Sequence, residues 1–292
     1  MMNRKKLLAL FGLKWNPFTP DIPVQALWRP PGVDHFLFRT ENLVMEGGFA
    51  LITGEPGLGK SKCLQLLAHQ LEQIADVVVG VMQRPQSSLA DFYREMGGLF
   101  GVNLSPSNRY GGFKALRQRW HDHIRTTLYR PVLLIDEAQE MSTDCLKEIR
   151  LLGSEHFDSQ CLLTTVFSSD MQLPHRFRDP ELVSLGSRMR VRLALEPHEN
   201  PDLTDYLEHC LEQAGVPTLM TDGLKRTLVE HCSGNLRLLN TMAAELLDKA
   251  AHQQLQVLDE QLFIKTFSRQ PSSRNRRKPS KDRATTIQGG NR

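Results

Sequence analysis

The residues Gly54-Glu55-Pro56-Gly57-Leu58-Gly59-Lys60-Ser61 fit the pattern G-x-x-x-x-G-K-[ST]. Glycines in such a run let the backbone close around a phosphate with its N–H groups turned inward. A helix beginning inside the run adds the positive end of its dipole. Lys60 is placed to reach the β- and γ-phosphates of ATP, and the Ser61 hydroxyl to hold Mg²⁺. Lys62, just past the motif, joins the same nucleotide-binding stretch. Downstream, four apolar residues run into two acids, Val132-Leu-Leu-Ile-Asp136-Glu137. Asp136 suits Mg²⁺, and Glu137 suits polarising an attacking water. A third apolar run ends in Ser168-Ser169-Asp170, where Ser169 is placed to orient that water or sense the terminal phosphate. Arg237, in Ser233-Gly-Asn-Leu-Arg-Leu-Leu-Asn240 at the start of a helix, is placed to reach back onto the phosphates.

These groups need elements to hold them. Residues 48–54 read as a buried strand running straight into the glycine loop, and 60–74 as a helix with Leu64, Leu67, Leu71 and Ile74 on one face. Further strands are predicted at 76–82, 131–139, 161–170 and 190–197, the last with the polar alternation of an edge. Helices are predicted at 87–101, 113–128 and 143–154. Strands alternating with helices imply a parallel sheet covered on both faces. After Pro197 the pattern turns purely helical, at 201–214, 221–232, 235–252 and 258–267. The expected organisation is an N-terminal segment, 1–47, with five prolines between 17 and 31; an α/β core, 48–197; a helical lid, 198–268; and a disordered tail, 269–292.

Composition narrows the classes. The chain has 292 residues, 40% apolar and 24% charged, which is ordinary for a soluble globular protein. Its net charge is +3, but residues 269–292 carry eight Lys or Arg against one acid, so the remaining residues sum to −4. The five cysteines form no Cys-x-x-Cys pair, which argues for reduced thiols in a cytoplasmic setting and against a disulfide framework or zinc site. The N-terminal run LLALFGL is short and lacks a small-residue cleavage site, so no secretory signal is expected. No apolar run approaches the roughly 18 residues that span a bilayer.

Taken together, the motifs resemble AAA+ ATPases of the ExeA/TniB type over about residues 7 to 267. "LFGLKWNPF" is similar to that family's opening motif, "GGFALITGEPGLGKS" to its phosphate loop, and "GGLFGV" and "VLLIDEAQ" to the elements that follow. "FRDPELVSLGSRMRVRLALEP" resembles the stretch between sensor strand and lid, and "SGNLRLLN" the sensor-2 helix. The resemblance implies a P-loop ASCE sheet of order 5-1-4-3-2, a small all-helical lid, and a homo-oligomer with ATP between subunits. It makes Arg237 a sensor-2 residue and Arg188 the arginine finger supplied to a neighbour, with Arg176 and Arg178 as weaker candidates; for Arg188 the alternative is an ordinary salt bridge. Asn16 and Phe18 are expected near the adenine, or else as a hydrophobic plug on the core. Two positions depart from the family: Ser61 stands where Thr is commoner, and Ser168-Ser169 where Gly-Gln or Gly-Asn is common, which suggests slow turnover.

The resemblance divides by what ATP drives. Members resembling ExeA continue into a membrane helix and a peptidoglycan-binding part, which this sequence lacks. Stand-alone members resemble transposition helpers that assemble on double-stranded DNA and recruit a transposase. The basic tail favours the second class, with Arg274, Arg276, Arg277 and Lys278 as sequence-independent phosphate contacts. The rival expectations are a cytoplasmic ATPase partner of a secretion or envelope complex, and an ATP-gated scaffold with little hydrolysis.

Overall fold

The computed structural model describes residues 4–103 and 108–267. The expected tail contacts Arg274, Arg276, Arg277 and Lys278 lie outside the described residues. The chain opens with α1 (Arg4–Phe11) and, after the proline-rich connector, α2 (Val33–Glu46). The sheet and its helices follow: β1 (Gly48–Gly54), α3 (Lys60–Glu72), β2 (Val79–Met82), α4 (Leu89–Phe100), α5 (Arg109–Thr127), β3 (Val132–Ile135) and α6 (Thr143–Gly153). A small antiparallel hairpin, β4 (Ser154–Glu155) and β5 (Gln160–Cys161), precedes β6 (Thr164–Ser169), α7 (Gln172–Arg176), α8 (Val183–Gly186) and β7 (Met189–Leu195). The lid is α9 (Asn200–Gln213), α10 (Asp222–His231), α11 (Leu236–His252) and α12 (Glu260–Phe267).

The five main strands are all parallel, in the order β2-β3-β6-β1-β7. Numbered without the hairpin, that is the expected 5-1-4-3-2 sheet. Period-two alternation sends Phe49, Leu51, Leu133, Ile135 and Phe167 to a core shared with Phe92, Met96, Trp120 and Ile149. Ala50, Ile52, Val132, Leu134 and Val166 face the other way, onto Leu64, Leu67 and Leu71 of α3 and Phe36, Leu37 and Val44 of α2. Burial on both faces explains why these strands read as unbroken apolar runs. Only β7, at the edge, alternates between buried and exposed along its whole length.

The lid has its own core, including Leu207, Leu211, Leu228, Leu239 and Leu246. Two of its helices, α10 and α11, start on side-chain caps: Thr221 Oγ1 accepts from the Leu224 N–H and Asn235 Oδ1 from the Leu238 N–H. The N-terminal segment divides between the two units. Leu7, Phe11, Leu13 and Phe18 fill the lid core, whereas α2 covers the sheet. α2 is a helix that the proline content of the connector hid. The strand expected from 76 begins at Val79, and the run from 161 resolves into the hairpin and β6.

Candidate nucleotide site

β1 delivers the chain between its neighbours β6 and β7 and stops at Gly54, where a Cβ would sit 2.8 Å from the Leu195 carbonyl oxygen. Only glycine fits that close approach. Gly57 and Gly59 then take φ of +93° and +103°, which turns the chain into α3. Lys60 is 5% exposed, and its ammonium donates to the carbonyls of Gly54 at 2.8 Å and Glu55 at 3.1 Å. Lys60 thus lies inside the loop rather than over solvent. Ser61 stands exposed on the first turn of α3.

The acids come from the adjoining strands. Ile135 of β3 pairs with Phe167 of β6, so the next rung brings Asp136 beside Ser168. The Ser168 hydroxyl donates to Asp136 Oδ1 at 2.7 Å, and the Glu137 N–H to the same oxygen at 3.0 Å. Glu137 is exposed and left-handed, with φ +50°. Its Oε2 accepts from Gln139 Nε2 at 2.5 Å; Gln139 Oε1 in turn accepts from the Asp170 N–H at 3.3 Å. The Gln139 amide therefore ties the second acid to the end of β6.

The lid touches the loop directly. Asn235 Nδ2 donates to the Pro56 carbonyl at 2.9 Å, and the Arg237 N–H to the Gly57 carbonyl at 3.1 Å. His198 Nε2 lies 3.1 Å from the Leu58 carbonyl oxygen, which makes Nε2 the protonated nitrogen. Three consecutive loop carbonyls thus accept from lid or hinge groups. His198 also takes an edge contact from Trp28 at 5.5 Å, and its N–H donates to the Gly234 carbonyl. A Cβ on Gly57 would stand 2.4 Å from Asn235 Oδ1, so this glycine serves the lid contact as well as the turn.

Other expected site residues fall elsewhere. Ser169 is buried with its hydroxyl on the Asp170 carbonyl at 2.9 Å, so the serine that meets Asp136 is Ser168. The Lys62 ammonium turns away from the loop to the Pro20 carbonyl at 2.7 Å and to Gln65; burial lowers its pKa, against the pull of Asp21. Phe18 is buried in the lid core, and Asn16 Oδ1 accepts from the Phe18 N–H, the arrangement of a hydrophobic plug. Arg237 places its backbone on Gly57, while its side chain is exposed. Arg188 sits at the opposite end of the sheet from its own phosphate loop, where it pairs with Asp158 at 2.6 Å. Arg176 donates to the Gln139 carbonyl and to Thr143 Oγ1. Asn235, His198, Ser168 and Gln139 were not singled out from the sequence as site residues, though Asn235 lies inside the helix-start motif that named Arg237.

The donor set fits ATP with Mg²⁺. The start of α3 offers an ammonium and a hydroxyl and the end of β3 a carboxylate, and hydroxyl and carboxylate oxygens are what Mg²⁺ takes. No cluster of three or more His, Cys, Asp or Glu able to hold a different metal occurs among the described residues. All five cysteines are free thiols. Cys63, just behind the loop, is pushed up to about 12 by burial, which excludes it as a nucleophile at neutral pH.

Comparison with known proteins agrees with this geometry. Residues 44–177 match the AAA domain family. The General secretion pathway protein A of Aeromonas hydrophila is 30% identical over 205 residues, which is 69% of this chain but 37% of that protein. The chain therefore spans little more than a third of that relative's length. Among solved structures, Aeropyrum pernix ORC1 in complex with DNA superposes with a TM-score of 0.64 at 18% identity, covering 91% of this chain and 70% of that one. Cdc6p from Pyrobaculum aerophilum gives 0.63 at 14% identity, covering 83% and 67%. Domain III of the Thermotoga maritima replication initiation protein DnaA gives 0.58 at 19%, covering 85% and 96%. These identities speak for the fold alone. With the sheet order and the glycine loop between β1 and α3, they show that this chain has the AAA+ P-loop fold, its residues 44–177 being similar to the AAA domain family.

Proposed function

We propose that the protein binds and slowly hydrolyses ATP, assembles as a homo-oligomer on double-stranded DNA while ATP is bound, and acts as a transposition helper that selects targets for a transposase. The observation that carries the ATP part is the glycine loop that encloses the Lys60 ammonium and has three of its carbonyls bonded to the lid. Mg²⁺ held by Ser61 and Asp136 would neutralise charge on the phosphates. Lys60 orients the phosphates, Glu137 takes the proton of the attacking water, and Ser168 holds the Asp136 carboxylate in place. Arg237, at the lid, is the group that registers nucleotide state. Arg188 of one subunit acts on the nucleotide of the next, where it stabilises charge developing in transfer. The organisation into N-terminal segment, core, lid and basic tail is part of the same proposal, with Arg274, Arg276, Arg277 and Lys278 as phosphate contacts.

Support for DNA comes from the resemblance to the transposition helpers and from the likeness in fold to a protein solved with DNA bound. A second reading has its own observation: the similarity to a General secretion pathway protein A supports an ATPase partner of a secretion complex. No helix among the described residues is long and apolar enough to cross a membrane.

Fluorescence anisotropy on a labelled random-sequence duplex separates the two. The full chain is titrated with ATP, ADP or no nucleotide at two salt concentrations, beside Lys60→Ala. ATP-dependent, salt-sensitive binding that Lys60→Ala abolishes is the expected result. No binding with any nucleotide would refute the DNA reading and leave the secretion partner.

A further inference from the structure

The hairpin between α6 and β6 makes an unusual turn. Its three successive tip residues, His156, Phe157 and Asp158, hold φ of +46°, +57° and +65°, although none is glycine. Left-handed backbone is strained for non-glycine residues, and it persists only where the surroundings impose it. Here Asp158 imposes it. Its carboxylate accepts from Arg188 at 2.6 Å, from Arg150 at 3.1 Å and from the Ser154 hydroxyl, while the Ser159 N–H closes on the His156 carbonyl. The product of this bracing is Phe157, whose relative exposure is 107%. No other large apolar side chain among the described residues stands so far into solvent.

The tip overhangs a cavity of about 690 Å³ whose lining includes Arg130, Arg150, Arg188, Arg190, Glu46 and Asp158. The lining of this cavity, at the end where the parallel strands begin, therefore sets four guanidinium groups against two carboxylates. The other end, where the strands stop, carries more acid than base: Glu55, Glu137, Glu140 and Glu196 are exposed there against exposed Arg84 and Arg237, next to the site that takes phosphates. Exposed Met171 lies at that end as well, just past β6. One molecule thus presents a basic end with a projecting aromatic ring and an acidic end with the nucleotide site.

We infer that Phe157 is the anchor of a head-to-tail contact between two copies of this chain, seated on the phosphate-loop end of the second copy, and that Asp158 holds Arg188 ready beside it. The inference rests on the oligomer reading above and adds the residue that docks. Asp158 is next to Phe157 and bonded to Arg188, so the ring and the guanidinium stand on the same face, and a neighbour that meets one meets the other. Charge complementarity sets the direction, and buried aromatic anchors supply most of the affinity at such interfaces. A head-to-tail contact continues into a ring or filament rather than stopping at a pair.

The test uses the full chain with a non-hydrolysable ATP analogue. Phe157→Asn keeps a residue that tolerates φ near +57° and removes only the ring, so folding is unaffected. Sedimentation velocity should show that this variant needs at least about tenfold more protein for half-assembly, with fluorescent-ATP binding at wild-type affinity when both proteins are dilute enough to be monomeric. A photo-crosslinking phenylalanine at 157 should join the second copy at peptides containing 54–61, 136–140 or 170–172. Assembly of Phe157→Asn at the wild-type concentration, or crosslinks confined to the partner's own basic end, would overturn the docking inference while leaving the oligomer. A wild-type protein that binds ATP yet remains monomeric at every concentration would overturn the oligomer reading itself, and this inference with it.

Discussion

Asn235 does two separable things, and Asn235→Ser separates them. Its Oδ1 caps α11 by accepting the Leu238 N–H at 3.1 Å, and its Nδ2 donates to the Pro56 carbonyl at 2.9 Å. Serine caps a helix about as well as asparagine, but it has no amide and is too short to reach Pro56. The change therefore removes one lid-to-loop bond and adds no charge near the phosphates. The Pro56 carbonyl is exposed and water replaces the lost donor, so the loss is that of an ordinary hydrogen bond, about 0.5–1.5 kcal/mol. The bonds from the Arg237 N–H and His198 Nε2 remain, so the lid loosens without detaching. If the lid holds the loop in its binding conformation, the apparent ATP affinity falls by no more than the factor that loss represents, about two- to tenfold. A fluorescent ATP analogue measures this directly. Thermal unfolding of the nucleotide-free protein should show Asn235→Ser destabilised by no more than that same hydrogen bond. Asn235→Ala, which also forfeits the cap, should lose about 1 kcal/mol beyond Asn235→Ser. Wild-type ATP affinity in Asn235→Ser would refute the reasoning: the lid contact would then be packing with no bearing on the nucleotide.

Three further outcomes are expected. Glu137→Gln should lower steady-state phosphate release by about a hundredfold or more while ATP binding persists, since it removes the base and spares the cradle. Ser168→Ala should reduce turnover several-fold more than Ser169→Ala, because the Ser168 hydroxyl holds Asp136 while that of Ser169 is spent on its neighbour's carbonyl; equal effects in a phosphate-release assay would disprove the assignment. The Ser154 hydroxyl, with Arg188 and Arg150, holds Asp158 below the usual carboxylate range. A depressed carboxylate stabilises the fold above its unfolded pKa and loses that contribution as pH falls through the folded value. The difference in melting temperature between wild type and Asp158→Asn should therefore be constant from pH 8 to 5 and shrink only below about pH 4.

The parts of the site legible in the sequence are those whose chemistry is local. Gly54 to Ser61 must be contiguous to wrap a phosphate, and Asp136 must follow a buried strand, so residue type and spacing suffice. The lid was legible as well, because four amphipathic helices announce themselves by periodicity. What escaped is whatever depends on register or on the backbone of a distant segment. Ser168 and Ser169 look interchangeable until the pairing of Ile135 with Phe167 puts one of them beside Asp136. α2 carries helical spacing at Val33, Phe36, Leu37, Leu43 and Val44, but the prolines before it drew the reading toward a connector, although Pro30 and Pro31 end before the helix begins. Asn235 and His198 act on carbonyls of Pro56 and Leu58, 179 and 140 residues away. A carbonyl has no side-chain identity, so a residue recruited to bind one leaves no matching letter elsewhere in the chain. The lid was expected to reach the phosphates through the Arg237 guanidinium. Its contact with the loop itself is made by an asparagine amide, a histidine ring and a main-chain N–H, all on the loop's backbone. Substitutions within the loop that keep its backbone path should therefore leave the lid in contact, whereas any residue larger than glycine at 57 should push it away.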